Sequence, residues 1–154
     1  MMPAALRTLL VLGAYEHRVD GDVVAMAGEL VLACDDGDAR EAPTDGECVR
    51  ALAVVWWMET RLAIEPPRNQ QHGCGPGQVI PTRWSSGRIG TWWPPPCATL
   101  EVLRYGLAAA RDRLRLAWAR SRSPREAFAR YNGSTRARWY GRAAAALYRA
   151  IDGR

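Results

Sequence analysis

The chain has 154 residues, of which 48% are apolar and 24% charged. That is the length of one domain able to bury its own core, and the composition of a globular chain rather than a disordered one. No apolar run approaches the ~20 residues that span a bilayer, so a membrane span is excluded, as are a long coiled coil and a collagen-like rod.

All 21 basic residues are Arg, and seven Trp stand against one Phe. The net charge of +5 is unevenly spread: residues 1–60 hold 4 Arg and 11 Asp or Glu (−7), residues 61–98 hold 4 Arg and one Glu (+3), and residues 99–154 hold 13 Arg and 4 Asp or Glu (+9). A basic C-terminal half attracts polyanions: nucleic acid, anionic wall polymer or an acidic neighbouring subunit. With both signs in one chain, part of that field is expected to be neutralised internally.

In chain order, Leu6, Leu9, Leu10 and Gly13 mark one face of a first helix. The charged Arg7 and the short apolar stretch after it make a poor secretory signal, so delivery outside a cytoplasm would need another route. A second helix, opened by Asp20-Gly21-Asp22, carries Val23, Met26, Leu30 and Cys34 on one face. Residues 35–46 form a polar, acidic loop. A third helix shows Cys48, Ala51, Val54, Val55, Met58 and Leu62 at three- and four-residue spacing, and it must stop before Pro66-Pro67, since proline lacks the N–H and clashes with the preceding turn.

Residues 63–98 are rich in Gly, Pro, Ser, Gln and Trp and show little periodicity, as expected of an irregular insert or one holding a short hairpin. Gln78-Val79-Ile80 and Arg88-Ile89 are its candidate strands. Leu100, Leu103, Leu107, Ala110, Leu114 and Trp118 then form one long helical stripe. Ser123-Pro124-Arg125-Glu126 is a start signal for a short fifth helix, with Ser as cap, Pro in the first turn and Glu reaching back. It ends at Asn132-Gly133. A last helix, capped by Ser134, carries Ala137, Tyr140, Ala144, Leu147 and Ile151 on one face. The expected class is mainly α, a single domain over residues 1–154, with a small irregular or β-hairpin insert between helices three and four.

Cys34, Cys48, Cys74 and Cys97 contain no CxxC pair, and His17 and His72 lack metal-site spacing, so neither a metal nor another cofactor is expected. The cysteines are either reduced and buried or paired; Cys34 with Cys48 and Cys74 with Cys97 would each close a loop flanked by turn residues.

Three segments carry possible chemistry. Glu59, in Trp56-Trp57-Met58-Glu59-Thr60-Arg61, sits in the last turn of an apolar helix, where the dipole and apolar neighbours both favour a protonated carboxyl, as a general acid needs. Gly73-Cys74-Gly75-Pro76-Gly77-Gln78-Val79-Ile80-Pro81 lets backbone approach a ligand closely and offers Gln78 as donor and acceptor. Tyr131-Asn132-Gly133-Ser134 joins two helices. Glu65 is the one alternative acid in residues 61–98 and reads as a surface residue.

In this order and spacing, over roughly residues 45–154, the segments resemble the soluble lytic transglycosylase domain of the lysozyme-like superfamily. Glu59-Thr60 is similar to its helix-ending Glu-Ser pair, Gly75-Pro76-Gly77-Gln78-Val79-Ile80-Pro81 to its Gly-x-x-Gln-(Ile/Val)-x-Pro element, and Tyr131-Asn132-Gly133 with Ala137 and Tyr140 to its Tyr-Asn-Gly and Tyr-bearing helix. Two departures are Thr60 for Ser, which keeps the hydroxyl, and His72-Gly73-Cys74-Gly75 where the family has Gly-Ala-x-Gly.

The resemblance implies a lysozyme-like helical fold, with residues 1–45 adding N-terminal helices and an acidic loop to a core over 46–154. It implies cleavage of the β-1,4 bond between N-acetylmuramic acid and N-acetylglucosamine, giving a 1,6-anhydro product with Glu59 as sole catalytic carboxylate. Thr60, Gln78, Tyr131, Asn132 and Tyr140 would contact or frame the glycan, Tyr140 being equally placed for a core role. Trp84, Trp92 and Trp93 are candidate stacking platforms for sugar rings, while Trp56, Trp57, Trp118 and Trp139 are expected in the core. Compact members of the family occur in phage particles and secretion machines, so the implied partners are glycan strands and virion or secretion-machine proteins, at a virion or in the periplasm and wall. Hydrolysis of the same bond, a lysozyme-like docking subunit with little catalysis, and a basic helical nucleic-acid binder are the other readings; the last lacks any readout motif, and no specific nucleic acid is expected.

Overall fold

A computed structural model describes residues 1–14, 22–35, 43–66, 68, 73–79, 97–133 and 138–152. Among them run seven helices: α1 (Met2–Ala14), α2 (Val23–Cys34), α3 (Asp45–Thr60), α4 (Cys97–Leu100), α5 (Leu103–Ala119), α6 (Pro124–Asn132) and α7 (Arg138–Ile151). The class is mainly α, and no helix among the described residues is long and apolar enough to cross a membrane.

Local chemistry sets several helix ends. Asp22 caps α2, its carboxylate accepting from the N–H groups of Val24 (2.9 Å) and Ala25 (3.3 Å). At α3 the Glu47 carboxylate takes the N–H and the hydroxyl of Thr44. Ser123 caps α6 through the Glu126 N–H, Pro124 occupies the first turn, and Gly133 ends the helix at φ +77°. Ser134, expected to cap the last helix, lies outside the described residues.

The core is built around α3. Cys48, Val49 and every residue from Ala51 to Trp56 are fully buried, and α1, α2, α5 and α7 all pack on this helix. A helix apolar all round belongs in the interior, so α3 is enclosed where the spacing pointed to a one-sided stripe. Residues 1–35 contribute through Ala5, Leu9 and Leu12 of α1 and Met26, Ala27 and Leu30 of α2. At the other end Trp118, Phe128 and Tyr148 meet edge to face, at centroid separations of 5.7–5.9 Å, joining α5, α6 and α7.

Two expectations need correcting. The long fourth helix is broken: Leu100 ends the four-residue α4, and extended Val102 (φ −71°, ψ 121°) turns the chain before α5 begins. Among the described residues, the strand expected at Gln78-Val79-Ile80 reduces to a single antiparallel bridge between Cys74 and Val79. Ile80 and the second candidate, Arg88-Ile89, lie outside those residues.

All four cysteines are paired. Cys34–Cys48 ties the end of α2 to the start of α3, and Cys74–Cys97 ties the glycine-rich turn to α4, with Cα separations of 5.9 and 5.5 Å. Of the two possibilities the sequence allows, the structure adopts disulfides.

Candidate functional site

Glu59 reaches the surface of this core at the last turn of α3, where it is half-buried. Arg61 ends the helix in the left-handed conformation (φ 54°); its side chain donates to the Trp57 carbonyl at 2.9 Å and lies over the Trp57 ring. The exposed helix-end carbonyls are thus met by a cation, which leaves burial as the main influence on the adjacent carboxyl. Burial raises the Glu59 pKa, while the Tyr140 hydroxyl and the Arg113 charge pull it back. The Tyr140 contact falls short of a well-aligned hydrogen bond, and no other described group completes one with that buried hydroxyl.

Against the end of α3 lies the glycine-rich turn. The Gln78 N–H donates to the Gly75 carbonyl at 3.0 Å, closing a tight turn inside the Cys74–Val79 bridge. The Gln78 side-chain amide donates to the same carbonyl at 3.0 Å. Gly75 has φ +69°, and a Cβ there would overlap the Leu100 carbonyl. Gly77 is required for closeness instead: a Cβ would collide with the Ala110 side chain and stand 2.6 Å from the Tyr131 hydroxyl. The glycines therefore seat the turn on α4, α5 and α6.

Two hydroxyls join the three segments. Thr60 Oγ1 reaches the Trp56 carbonyl in its own helix (3.1 Å) and the Pro76 carbonyl in the turn (3.3 Å). The Tyr131 hydroxyl donates to the Gly77 carbonyl at 2.8 Å. With 2% of its surface exposed, Tyr131 stands behind the turn rather than lining an open surface. Burial, then the Glu59 charge, raise its pKa. Tyr140, also 2% exposed, reaches the same carboxyl from α7, so its core position and its contact with Glu59 coincide. Asn132 is exposed at the end of α6. With Asn132 exposed and Glu59, Thr60 and Gln78 half-buried, solvent reaches the cluster.

The structure thus brings together Glu59, Thr60, Gln78, Tyr131 and Tyr140 from segments up to 81 residues apart, with Asn132 following Tyr131 in chain. Trp84, Trp92 and Trp93 lie outside the described residues. Glu65 is exposed. Trp56 is buried, its indole N–H donating to the Ala63 carbonyl at 2.9 Å, and Trp57 and Trp118 are half-buried. Trp139 breaks the core expectation: at 63% exposure its ring stands outward, 5.9 Å from that of Tyr140. The apolar face of α7 runs through Tyr140, Ala144 and Ile151, which turns position 139 away from the core.

Arg113 escaped the sequence reading. It projects from α5, and its Nε donates to the Tyr131 carbonyl at 2.7 Å. One Arg among thirteen in residues 99–154 carries no signal by composition. Its position three residues after Ala110, at the flank of the apolar stripe, was the available clue. Among the described residues no three His, Cys, Asp or Glu side chains converge as metal ligands.

No protein-family model, curated protein or solved structure matches this chain. The cluster must be judged by its own chemistry. It holds one carboxyl partly shielded from water, two tyrosines, one cation, and an amide on a tight turn. Such a set can deliver and take back a single proton beside a polar, uncharged ligand.

Proposed function

We propose that the chain is a lysozyme-like lytic transglycosylase that cleaves the bond from N-acetylmuramic acid to N-acetylglucosamine in peptidoglycan. The observation that carries this reading is the half-buried Glu59, with its pKa raised by burial, beside the Gly75–Gln78 turn and Tyr131. Three segments picked out by motif alone thereby meet around one acid.

In this reading protonated Glu59 donates to the glycosidic oxygen as the bond to C1 breaks. The resulting carboxylate accepts the proton of the C6 hydroxyl while O6 bonds to C1, giving the 1,6-anhydro sugar and returning Glu59 to its starting form. No water is consumed, so the second carboxylate of ordinary glycosidases has no task. Gln78 and exposed Asn132 supply amide groups for hydroxyls and N-acetyl groups of the glycan. Both disulfides suit work outside a reducing cytoplasm, as local opening of a cell wall by a phage particle or secretion machine requires.

The test is incubation with purified peptidoglycan and mass analysis of the released fragments. Anhydro-muropeptides are expected. Fragments heavier by one water would make the protein a muramidase, and no release would favour a docking subunit. Glu59→Gln is expected to abolish release while the circular dichroism spectrum stays that of the wild type. Normal cleavage by that variant removes Glu59 from the mechanism.

A further inference from the structure

The chemistry proposed for Glu59 makes opposite demands on one group: it must begin as an acid and pass through a carboxylate. Burial secures the first and penalises the second, because a carboxylate short of water needs a counter-charge or hydrogen bonds. Among the described residues the groups acting on this carboxyl are Tyr140 from α7 and Arg113 from α5; Tyr131 from α6 feels its charge in return. Arg113 is the one cation of the three.

Its geometry is specific. Arg113 is half-buried, and its Nε donates at 2.7 Å to the carbonyl of Tyr131 in the last turn of α6, one of the groups a helix leaves unpaired. The guanidinium carbon lies 5.3 Å from the centre of the Tyr131 ring. At Gly133 a Cβ would come within 3.0 Å of Arg113 Nη2, so the glycine that ends α6 also admits the guanidinium against the backbone. Asn132, the exposed amide of the site, directly follows the residue that Arg113 holds.

We propose that Arg113 is the positioning residue of this site: from α5 it clamps the last turn of α6 at the Tyr131 carbonyl and ring, and the charge held there acts as counter-charge when the proton leaves Glu59. The inference deepens the glycan-cleaving reading and rests on it for its kinetic consequence, while the relation between the two side chains can be measured without substrate.

The experiment follows the Glu59 side-chain carboxyl by carbon-13 NMR, its signal assigned by its loss in Glu59→Gln, across pH in wild type, Arg113→Gln and Arg113→Lys. Rates on peptidoglycan are measured in parallel. In Arg113→Gln, Glu59 is expected to titrate at higher pH than in wild type, with kcat down on the order of 10²-fold and KM changed less. In Arg113→Lys the titration returns toward that of the wild type, while kcat stays roughly tenfold low because the Nε donor to the Tyr131 carbonyl is gone. An unmoved Glu59 titration in Arg113→Gln overturns the counter-charge, and a wild-type kcat in Arg113→Lys overturns the clamp. If Arg113→Gln does not fold, Arg113→Met, which keeps the packing of the stem and removes the charge, is read in the same way, and Arg113→Lys decides the clamp by its kcat. Should wild type release no wall fragments, the function is wrong and the titration alone decides whether Arg113 serves Glu59.

Discussion

Glu59 gathers the electrostatic tension of the molecule into one side chain. Its carboxyl is raised above the ordinary 4.5 mainly by burial, so the native state keeps the proton at pH values where the unfolded chain has lost it. Its contribution to stability is therefore complete below 4.5 and is lost as pH rises through the native pKa. Glu59→Gln escapes that loss: its urea midpoint is expected to exceed that of the wild type at neutral pH, with the advantage fading as pH falls to the carboxylate range. A stabilising change at the cost of activity is the pattern of a functional site. The two tyrosines should separate cleanly. Tyr131→Phe leaves the buried Gly77 carbonyl without its donor and is expected to cost about 1–3 kcal/mol by denaturant unfolding. Tyr140→Phe removes a hydroxyl that lacks a well-aligned partner, so it should leave stability near that of the wild type and instead move the Glu59 titration to higher pH.

At the level of elements, the site depends on how closely a turn can approach the helices around it. The Gly75–Gln78 turn is held from three sides: by Thr60 of α3, by Tyr131 of α6, and by direct contact of Gly77 with Ala110 of α5. Gly77→Ala is expected to destabilise the protein by about 1–3 kcal/mol, because the added methyl collides with both the Ala110 side chain and the Tyr131 hydroxyl. Under the proposed glycan-cleaving function, wall cleavage should fall further than stability predicts, since the same collision moves the turn relative to Glu59. Equal losses in unfolding free energy and in activity, measured at a temperature where the variant is fully folded, would show the turn to be a structural joint alone. The break between α4 and α5 belongs to the same arrangement: the Leu100 carbonyl occupies space that Gly75 and Gly106 leave open.

Over the whole molecule, the charge asymmetry is partly resolved by contacts between its halves. Arg104 of the basic half meets Glu29 of α2 through two hydrogen bonds of 3.1 Å, whereas Arg50 of α3 pairs with Asp152, a cation of the acidic part with an anion of the basic one, and leaves the asymmetry as it was. The first pair is solvent-exposed and adds little stability. The disulfides contribute more, and differently. Cys34 and Cys48 are 14 positions apart and Cys74 and Cys97 are 23 apart. Chain-entropy reasoning gives each link about 3 kcal/mol against the unfolded state. Cys34→Ser and Cys97→Ser should therefore lose comparable stability. Under the proposed function, only Cys97→Ser, which frees the residue preceding Gly75, is expected to reduce wall cleavage disproportionately. Urea midpoints and fragment release on the two variants check this.

The sequence by itself determined what depends on neighbours in the chain. The capped start of α6 and its glycine stop, the Asp22 cap and the halt of α3 before Pro66 are all local, and each was legible as a motif. Glu59, the glycine-rich turn and Tyr131-Asn132 were legible as segments, because their residue types suit proton transfer and close backbone approach. Tertiary structure alone decided the rest. Periodicity records which face of a helix is apolar but not how many partners cover it, so the enclosure of α3 on all sides was hidden, as was the outward ring of Trp139. Arg113 acts across a gap of 54 residues from Glu59. Its role comes from low-dielectric proximity and from a carbonyl at another helix's end, which no spacing along a single chain segment encodes.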